Sequence, residues 1–397
     1  MELSDMATSS ERGSSIRRRQ RTKRPVDSAF RQQKLSAFQP ILTPRVIILT
    51  LGVIGCACVL TGSMVVVLSQ KVVQAKVQYD GVDTASRYEA CKVDGFDQFR
   101  RCEVRLKVPR KMRSPVDVYY ELSNVRQNHR RYSTSINFYQ LMGDQKDRNE
   151  LSSCAPLKVN ESRTLNPCGL IANSMFSDKF DLTSHTMKER GIALWSDKKK
   201  LDQPDDFDYA VVDDDDDVSG CVFEPCDDAL CSKYGLPATC FGYECQDYEF
   251  ENGKCDTGDA ALFYYPEPYD YQYLWQTYPY LVSPLVGVKN EHFIVWMRTA
   301  ALPHFRKIYG RITHTLHEHE VLTFNVTANF WARKFDGRKW LVVSTQGPIG
   351  GKNIVLGVGY LILGAVCLSL SLAFLALQHT QPRRVGDVSQ AITTLRA

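Results

Sequence analysis

The chain has 397 residues, of which 44% are hydrophobic and 24% are charged. This much apolar material with so little charge excludes an intrinsically disordered protein. The formal net charge is only +4, so the composition gives no support to nucleic-acid binding.

A polar, basic tail of 45 residues begins the chain. It holds ten basic and four acidic residues, with a basic cluster in residues 17–24. On a membrane anchor such a cluster is typical of a solvated tail or of one that faces anionic lipid. Phe30, Leu35 and Phe38 interrupt the polar residues just before the first apolar stretch. They predict a short interfacial segment that Pro40 ends.

Two apolar stretches predict membrane spans. Residues 46–68 and 354–377 contain 23 and 24 residues without a charge. As helices that rise about 1.5 Å per residue, both can cross a hydrocarbon core of roughly 30 Å. The first follows a long polar tail and lacks a small-residue cleavage site, so we interpret it as a signal anchor. Neither span carries an ionisable residue, which argues against a transport path through these two helices alone.

The distribution of basic residues predicts the orientation. Residues 1–45 and 378–397 are basic tails, whereas residues 69–353 hold 36 basic and 40 acidic side chains. Long domains translocate whatever their charge, and basic tails stay in the cytosol. We therefore expect both termini in the cytosol and residues 69–353 on the exoplasmic side. Asn160 and Asn325 begin glycosylation sequons in that domain, which weakly supports this topology.

Ten of the thirteen cysteines lie in this domain, where disulfide bonds are the default role. They are Cys91, Cys102, Cys154, Cys168, Cys221, Cys226, Cys231, Cys240, Cys245 and Cys255. The spacing of the last six does not resolve their pairing. Zinc binding is the rival interpretation, less favoured because thiols in this compartment are oxidised. Cys56, Cys58 and Cys367 lie inside the spans as small apolar packing residues.

Period-two alternation in the domain predicts β-strands. Residues 104–108 alternate between apolar and charged side chains until Pro109, and residues 324–330 alternate in a similar way. The β-branched and aromatic run at 293–297 also predicts a strand. Strands joined by long connections favour an antiparallel, sandwich-like fold. The predicted fold class is therefore a β-rich, disulfide-bonded domain flanked by two transmembrane α-helices.

Residues 201–285 form an insertion of unusual composition. Nine aspartates and no basic residue lie within residues 201–217. No calcium-binding loop pattern is present, so a hydrated, flexible segment is favoured over a calcium site. The tyrosine-rich residues 264–280 form either a binding face or local core.

The motifs predict no catalytic residue, no metal and no cofactor, and hence no enzyme. Residues 347–353 are similar to a phosphate loop, but Gln346 replaces its first glycine and Asn353 its final Ser or Thr. A second stretch could bind a metal at one edge: His314, His317, Glu318, His319 and Glu320. Without a fixed fourth ligand, this spacing is more typical of a solvated turn.

Small residues at helical spacing mark faces on which another helix can pack closely. They are Gly52 with Cys56, Cys58 with Gly62, and the series Ala365, Ser369 and Ala373. Either the two spans pack only on each other, or a larger membrane partner packs against them.

Several dispersed motifs resemble those of a known family. They are SAFRQQKL and FQPILTP at 28–35 and 38–44, QNHRRY at 127–132, PCGLIANSMF at 167–176, GIALWSDK at 191–198, the stretch 293–309, FDGRK at 335–339 and GGKN at 350–353. In order and topology they are similar to the ligand-effect-modulator and cell-division-cycle-fifty proteins. These proteins are accessory (beta) subunits of type-IV P-type ATPases, the phospholipid flippases.

The resemblance implies a non-catalytic subunit that forms a heterodimer with the ATPase among membrane lipids. Such a subunit helps the pump to fold, to leave the endoplasmic reticulum and to run its phosphorylation cycle. It resides in the endoplasmic reticulum, Golgi, endosomes or plasma membrane. The residues implied to contact the partner are Phe30, Gln32, Gln33, Phe38, Gln39 and Pro40.

The resemblance also implies specific modifications of the exoplasmic domain. Cys91 would pair with Cys102, and Cys154 with Cys168. Asn325 lies at a family sequon position. Ser177-Asp178 stands where many members carry another sequon, so glycosylation is not expected there. The insertion at 201–285 departs from the family pattern.

The alternative function is a stand-alone surface receptor or adhesion protein whose cysteine-rich insertion binds a ligand. The topology and the disulfides fit both functions. The motif at residues 28–44 and the small-residue helix faces favour the accessory subunit, because a free-standing receptor needs neither.

Overall fold

The computed structural model describes residues 28–35, 43–96, 98–210, 222–225, 231–232, 235–237, 240–244 and 262–380. The chain divides into two compact units. One comprises Met1–Ala57 with Gly364–Ala397, and the other comprises Cys58–Leu363.

Two long helices, α1 and α7, flank the β-rich domain, and both are long and apolar enough to cross a membrane. The helices are α1 (Pro44–Lys71), α2 (Arg130–Ser133), α3 (Phe138–Leu141), α4 (Trp195–Lys198), α5 (Leu274–Thr277), α6 (Glu291–Met297) and α7 (Ile354–Thr380). Short 3₁₀ turns cover Ser86–Cys91, Ser152–Cys154, Ala172–Ser174, Gly287–Lys289 and Ala332–Phe335.

Fifteen strands are present in the described residues. They are β1 (Gln74–Gly81), β2 (Arg100–Lys107), β3 (Val116–Ser123), β4 (Val159–Asn160), β5 (Arg163–Asn166), β6 (Lys179–Leu182), β7 (Met187–Lys188), β8 (Asp208–Ala210), β9 (Val222–Pro225), β10 (Phe241–Glu244), β11 (Leu262–Tyr264), β12 (Tyr271–Tyr273), β13 (Phe305–Ile312), β14 (Val321–Ala328) and β15 (Arg338–Thr345). The predicted strands at 104–108 and 324–330 correspond to β2 and β14.

Two antiparallel sheets form the body of the domain. One has the strand order β1-β15-β3-β13-β7 and the other β2-β14-β6. Alternate residues of β14, the central strand of the smaller sheet, are buried, as at Leu322, Phe324 and Val326. Phe180 of β6 packs edge-on against Tyr79 of β1 and Tyr309 of β13, at ring-centroid distances of 5.7 and 4.8 Å. The sheets therefore share one core, and the predicted fold class is confirmed.

Two smaller sheets contain the described part of the insertion. Their strand orders are β8-β11-β10-β9 and β12-β5-β4, and β12 pairs with β5 in parallel. Half of the aromatic residues of the tyrosine-rich stretch are buried, and among them Tyr265, Tyr273 and Trp275 pack with Phe241 and Phe263. Local core describes this buried half, whereas Tyr269 and Tyr280 are exposed.

The strand prediction for residues 293–297 is wrong, because they form most of α6. The Asn290 side chain accepts a hydrogen bond from the backbone N–H of Phe293 at 3.1 Å and caps the start of this helix. The Lys307 ammonium donates to the carbonyls of Val295, Trp296 and Arg298 at 2.7–2.9 Å and caps its end. Capping and burial thus outweigh the strand propensity of the run.

Candidate partner-binding surfaces

Within the second unit, α1 and α7 approach closely at glycines. A Cβ atom placed on Gly62 would lie 3.0 Å from the Gly357 carbonyl oxygen, and one on Gly357 would lie 2.6 Å from Val66. The backbone N–H of Asn353 donates to the Ser69 hydroxyl at 3.2 Å. Only glycine allows this approach, so the Gly62 face belongs to the contact within the chain.

The first unit contains a similar contact. Gly55 is buried, and a Cβ atom there would lie 2.7 Å from the Leu368 side chain. The Ser371 hydroxyl donates to the Ile48 carbonyl at 2.9 Å, and Gly52 lies next to Ser371. Two of the predicted small residues, Gly52 and Gly62, therefore serve the packing of the two spans on each other.

The third predicted series lies on a different face of α7. Ala365, Ser369 and Ala373 are exposed, whereas Gly364 and Cys367 of the same helix are buried. Because an α-helix has 3.6 residues per turn, the exposed series points away from the buried one. This face leaves room for the close approach of a helix from another protein.

The motif at residues 28–44 forms a compact turn in its described part. The backbone N–H of Gln32 donates to the Ser28 carbonyl at 2.9 Å, and that of Lys34 to the Ala29 carbonyl at 2.7 Å. Phe30 is 76% exposed, and the backbone of Gln33 has a positive φ of 54°. The turn thus presents an aromatic ring to its surroundings. The other predicted contact residues, Phe38, Gln39 and Pro40, lie outside the described residues.

Three disulfide bonds lie in the described residues. The structure joins Cys91 to Cys102 and Cys154 to Cys168, which are the pairs that the resemblance implies, and also Cys231 to Cys240. The remaining predicted disulfide cysteines, Cys221, Cys226, Cys245 and Cys255, lie outside the described residues. Cys231 and Cys240 are thus cystine rather than zinc ligands.

The two sequon asparagines occupy different settings. Asn325 is exposed in the middle of β14, the central strand of its sheet. Asn160 lies in the hairpin of β4 and β5, where its side-chain amide donates to Gln272 at 2.9 Å. Asn325 is therefore accessible at the surface of the domain.

A buried charge cluster, which the sequence motifs did not reveal, links the two main sheets. The Lys339 ammonium lies 3.0 Å from an Asp80 carboxylate oxygen and 2.7 Å from one of Asp178, and all three side chains are fully or almost fully buried. It also donates to the Phe330 carbonyl at 2.8 Å. Asp178 accepts hydrogen bonds from the Tyr79 hydroxyl at 2.6 Å and the backbone N–H of Phe330 at 2.6 Å. We call Asp80, Asp178 and Lys339 the sheet brace.

The sheet brace holds two carboxylates and one cation. Desolvation raises the pKa of Asp80, although Lys339 and the backbone N–H of Gly81 oppose this shift. Desolvation, with the nearby Asp178, also raises the pKa of Tyr79. Ser177-Asp178 stands where the resemblance places a sequon in other members, and in this chain Asp178 is part of the core.

The GIALWSDK stretch forms an exposed aromatic patch beside a fixed segment of backbone. The Glu291 carboxylate accepts hydrogen bonds from the backbone N–H groups of Gly191, Ile192 and Ala193 at 2.7–2.9 Å. Desolvation opposes ionisation of Glu291, but these bonds and Lys198 outweigh it and lower its pKa. The adjoining Trp195 is 70% exposed. An exposed tryptophan is typical of protein-binding surfaces.

The histidine-rich stretch lies in the connection between β13 and β14. Glu320 is hydrogen-bonded to His185, which is not part of that stretch, and to the backbone N–H of His317. The hydrogen bond with His185 contributes most, and together these bonds lower the pKa of Glu320. No group of three potential metal ligands occurs in the part of the chain that the structure describes.

The glycine-rich turn after β15 connects the domain to α7. The backbone N–H groups of Gly347 and Gly350 bond to each other's carbonyls at 2.8 and 2.9 Å. These two amides are therefore engaged within the turn and are not directed at a phosphate.

Comparison with known proteins relates this architecture to one family. The model of the LEM3 (ligand-effect modulator 3) family / CDC50 family matches residues 65–384. ALA-interacting subunit 3 of Arabidopsis thaliana is 33% identical over 95% of this chain and 93% of that protein. Cell cycle control protein 50A of Bos taurus is 31% identical over 90% of each chain.

Cell cycle control protein 50B of Homo sapiens is 29% identical over 87% of this chain and 90% of its own length. The similarity thus covers both predicted spans and the domain between them, and it confirms the resemblance of the sequence motifs. The chain belongs to the LEM3/CDC50 family.

Proposed function

We propose that this protein is the non-catalytic accessory subunit of a type-IV P-type ATPase that flips phospholipids. The observation that carries the proposal is its membership of the LEM3/CDC50 family, together with its similarity over almost the whole chain to a protein named ALA-interacting subunit 3. ATP hydrolysis and lipid movement then belong to the ATPase, and this chain supplies binding surfaces and rigidity.

The membrane part supports this proposal through its uncovered surface. Only 11% of the most apolar part of each long helix is buried within the chain. The exposed series Ala365, Ser369 and Ala373 permits close backbone approach, which drives helix association where no hydrophobic effect operates. The ATPase helices would pack against this face of α7.

The domain and the cytosolic turn would add two further contacts. The exposed Trp195 follows the segment whose backbone is bonded to Glu291 and has the aromatic character of an interface anchor. The exposed Phe30 and its neighbours Gln32 and Gln33 would contact the ATPase from the cytosol, with Phe38, Gln39 and Pro40 completing that segment. The domain would be exoplasmic, with both termini cytosolic.

We infer that the disulfides and the sheet brace allow the subunit to act in folding and export of the pump. A rigid domain binds with a smaller loss of conformational entropy than a flexible one. Failure to form it would hold both chains in the endoplasmic reticulum, whereas the assembled complex would continue to the Golgi, endosomes or plasma membrane.

Co-purification in a mild detergent tests the proposal. A tagged chain should retain a large P-type ATPase in about equal amount. Ala365→Leu with Ala373→Leu should reduce the recovered ATPase, because the added side chains hold a partner helix away. Gly359→Leu is the matched control: a Cβ there meets no described atom within 4 Å, and the residue lies away from the centre of the series.

The receptor alternative makes the opposite prediction. A stand-alone receptor would purify without an ATPase, and cells that lack it would keep normal lipid uptake. Either result would overturn the accessory-subunit proposal.

A further inference from the structure

A short basic segment connects β2 with β3, and we call residues 107–113 the basic loop. Lys107, Arg110, Lys111 and Arg113 are all exposed, and the segment contains no acidic residue. None of the four forms an ion pair with any residue in the described ranges. Four uncompensated cations within seven residues create a strong local positive potential.

Buried side chains and backbone hydrogen bonds fix the backbone of the basic loop. Val108 and Met112, which alternate with the cations, are completely buried. The backbone N–H of Val108 donates to the Glu320 carbonyl at 2.8 Å, and Met112 and Leu316 exchange two hydrogen bonds of 2.9 and 3.0 Å. The four cations therefore extend from a well-anchored stretch of backbone.

The connectivity of the strands places the basic loop at the membrane end of the domain. The basic loop leads into Val116, which pairs with Thr345, and the neighbouring Ser344 pairs with Gln74. Gln74 follows the end of α1 by only three residues, and the Val73 N–H donates to the Thr345 hydroxyl at 3.0 Å. The basic loop thus leaves the sheet at the end where the chain enters the membrane.

The carboxylates nearest to the basic loop already have other partners. Glu320 is bonded to His185, Glu318 lies 3.6 Å from His319, and Glu103 pairs with Arg105. His314 and His317, in the neighbouring connection between β13 and β14, are exposed and not acidic. The four cations of the loop therefore outnumber these three carboxylates. Lys71 and Lys352, at the adjoining ends of the two spans, are exposed too.

We propose that the basic loop binds the phosphate groups of phospholipid headgroups in the leaflet beside the domain. Headgroup phosphates are the anions that are always present at this level, and guanidinium groups bind phosphate through paired hydrogen bonds. An acidic protein segment is the competing partner. The position at the membrane end, shared with Lys71 and Lys352, favours lipid.

Site-specific photocrosslinking in the full-length chain tests this inference directly. Lys111→p-benzoylphenylalanine is expressed in cells fed radioactive phosphate, and lipid adducts are recognised as phospholipase-sensitive label on the protein. We expect label at position 111 and at the exposed Val355 of α7, the positive control. Arg130→p-benzoylphenylalanine, at the exposed opposite end of the sheet, should remain at background.

A charge-dependence experiment separates binding from proximity. Thr315→p-benzoylphenylalanine places the crosslinker beside the basic loop, and all four cations are then changed to glutamine. Lipid label at 315 should fall by about fivefold or more, the factor that corresponds to roughly 1 kcal/mol. Unchanged label would overturn the inference. Crosslinks at 111 to a protein, or no adduct at 111 while 355 is labelled, would overturn it too.

Discussion

Replacement of Lys339 by methionine tests the sheet brace most directly. Methionine retains much of the apolar volume of the lysine stem but removes the ammonium that lies 3.0 Å from Asp80 and 2.7 Å from Asp178. Both carboxylates are buried, so neither gains water in exchange. Removing one partner of a buried ion pair costs about 3–5 kcal/mol, because the remaining charge stays uncompensated.

This cost should be visible as a large fall in apparent melting temperature. At roughly 2–4 °C per kcal/mol for a domain of this size class, Lys339→Met should melt on the order of 10 °C below the parent. The assay heats the tagged, full-length chain in mild detergent and measures the remaining monodisperse peak by fluorescence-detected size exclusion. Lys188→Met, at an exposed lysine of β7, should stay within about 0.5 kcal/mol of the parent.

The pH dependence of the variant gives a second readout. Burial raises the pKa of Asp80, and Lys339 opposes that shift, so loss of Lys339 raises the pKa further. A folded-state pKa above the unfolded value means that the folded chain takes up protons first as the pH falls. The difference in melting temperature between Lys339→Met and the parent should therefore become smaller as the pH falls from 7 to 5.

Neutralising both carboxylates should recover part of the lost stability. With Asp80→Asn and Asp178→Asn added to Lys339→Met, no buried charge is left without a partner. If Lys339→Met melts within about 2 °C of Lys188→Met, the sheet brace is not a buried ion cluster, and the reasoning fails.

Three further variants test other parts of the structure. Burial lowers the pKa of Lys307 to about 7, against about 10.4 in the unfolded chain, so the melting temperature of the parent should rise relative to Lys307→Met between pH 7 and pH 9. If the difference in melting temperature between the parent and Lys307→Met does not change with pH, the carbonyl acceptors keep Lys307 charged. Cys154→Ser with Cys168→Ser should cost roughly 3 kcal/mol and expose the enclosed segment to trypsin, as judged by limited proteolysis. Gly62→Leu should destabilise the isolated chain by collision with α7, whereas Gly359→Leu should not, as measured by thermal melting of each; equal melting of the two would contradict the helix contact.

The sequence predicted those features whose signal is local. The uncharged stretches predicted α1 and α7, and alternation predicted β2 and β14, because period two in a half-buried strand is written directly in neighbouring residues. Residues 293–297 have the composition of a strand and form α6 instead. The decisive contact, Lys307 at the end of the helix, comes from a different element.

The sheet brace could not be predicted because its members are far apart in sequence. Asp80, Asp178 and Lys339 lie on three different parts of the chain, and each alone is an ordinary charged residue. Only the pairing of β1 with β15 and the packing of β6 beneath them bring the three together. Glu291 was missed for the same reason, since its hydrogen-bond partners are about 100 residues away.

A subunit that works by binding must keep its shape while its surfaces stay available. The charges of this chain are placed accordingly. The cluster at Lys339 is buried in the core where two sheets meet, whereas the basic loop, which contains no acidic residue, is exposed. Buried ion pairs add little net stability compared with apolar packing, but a misplaced sheet would leave their charges unpaired. We infer that the sheet brace fixes the relative position of the two sheets. It thereby also fixes the distance between the aromatic patch at Trp195 and the basic loop.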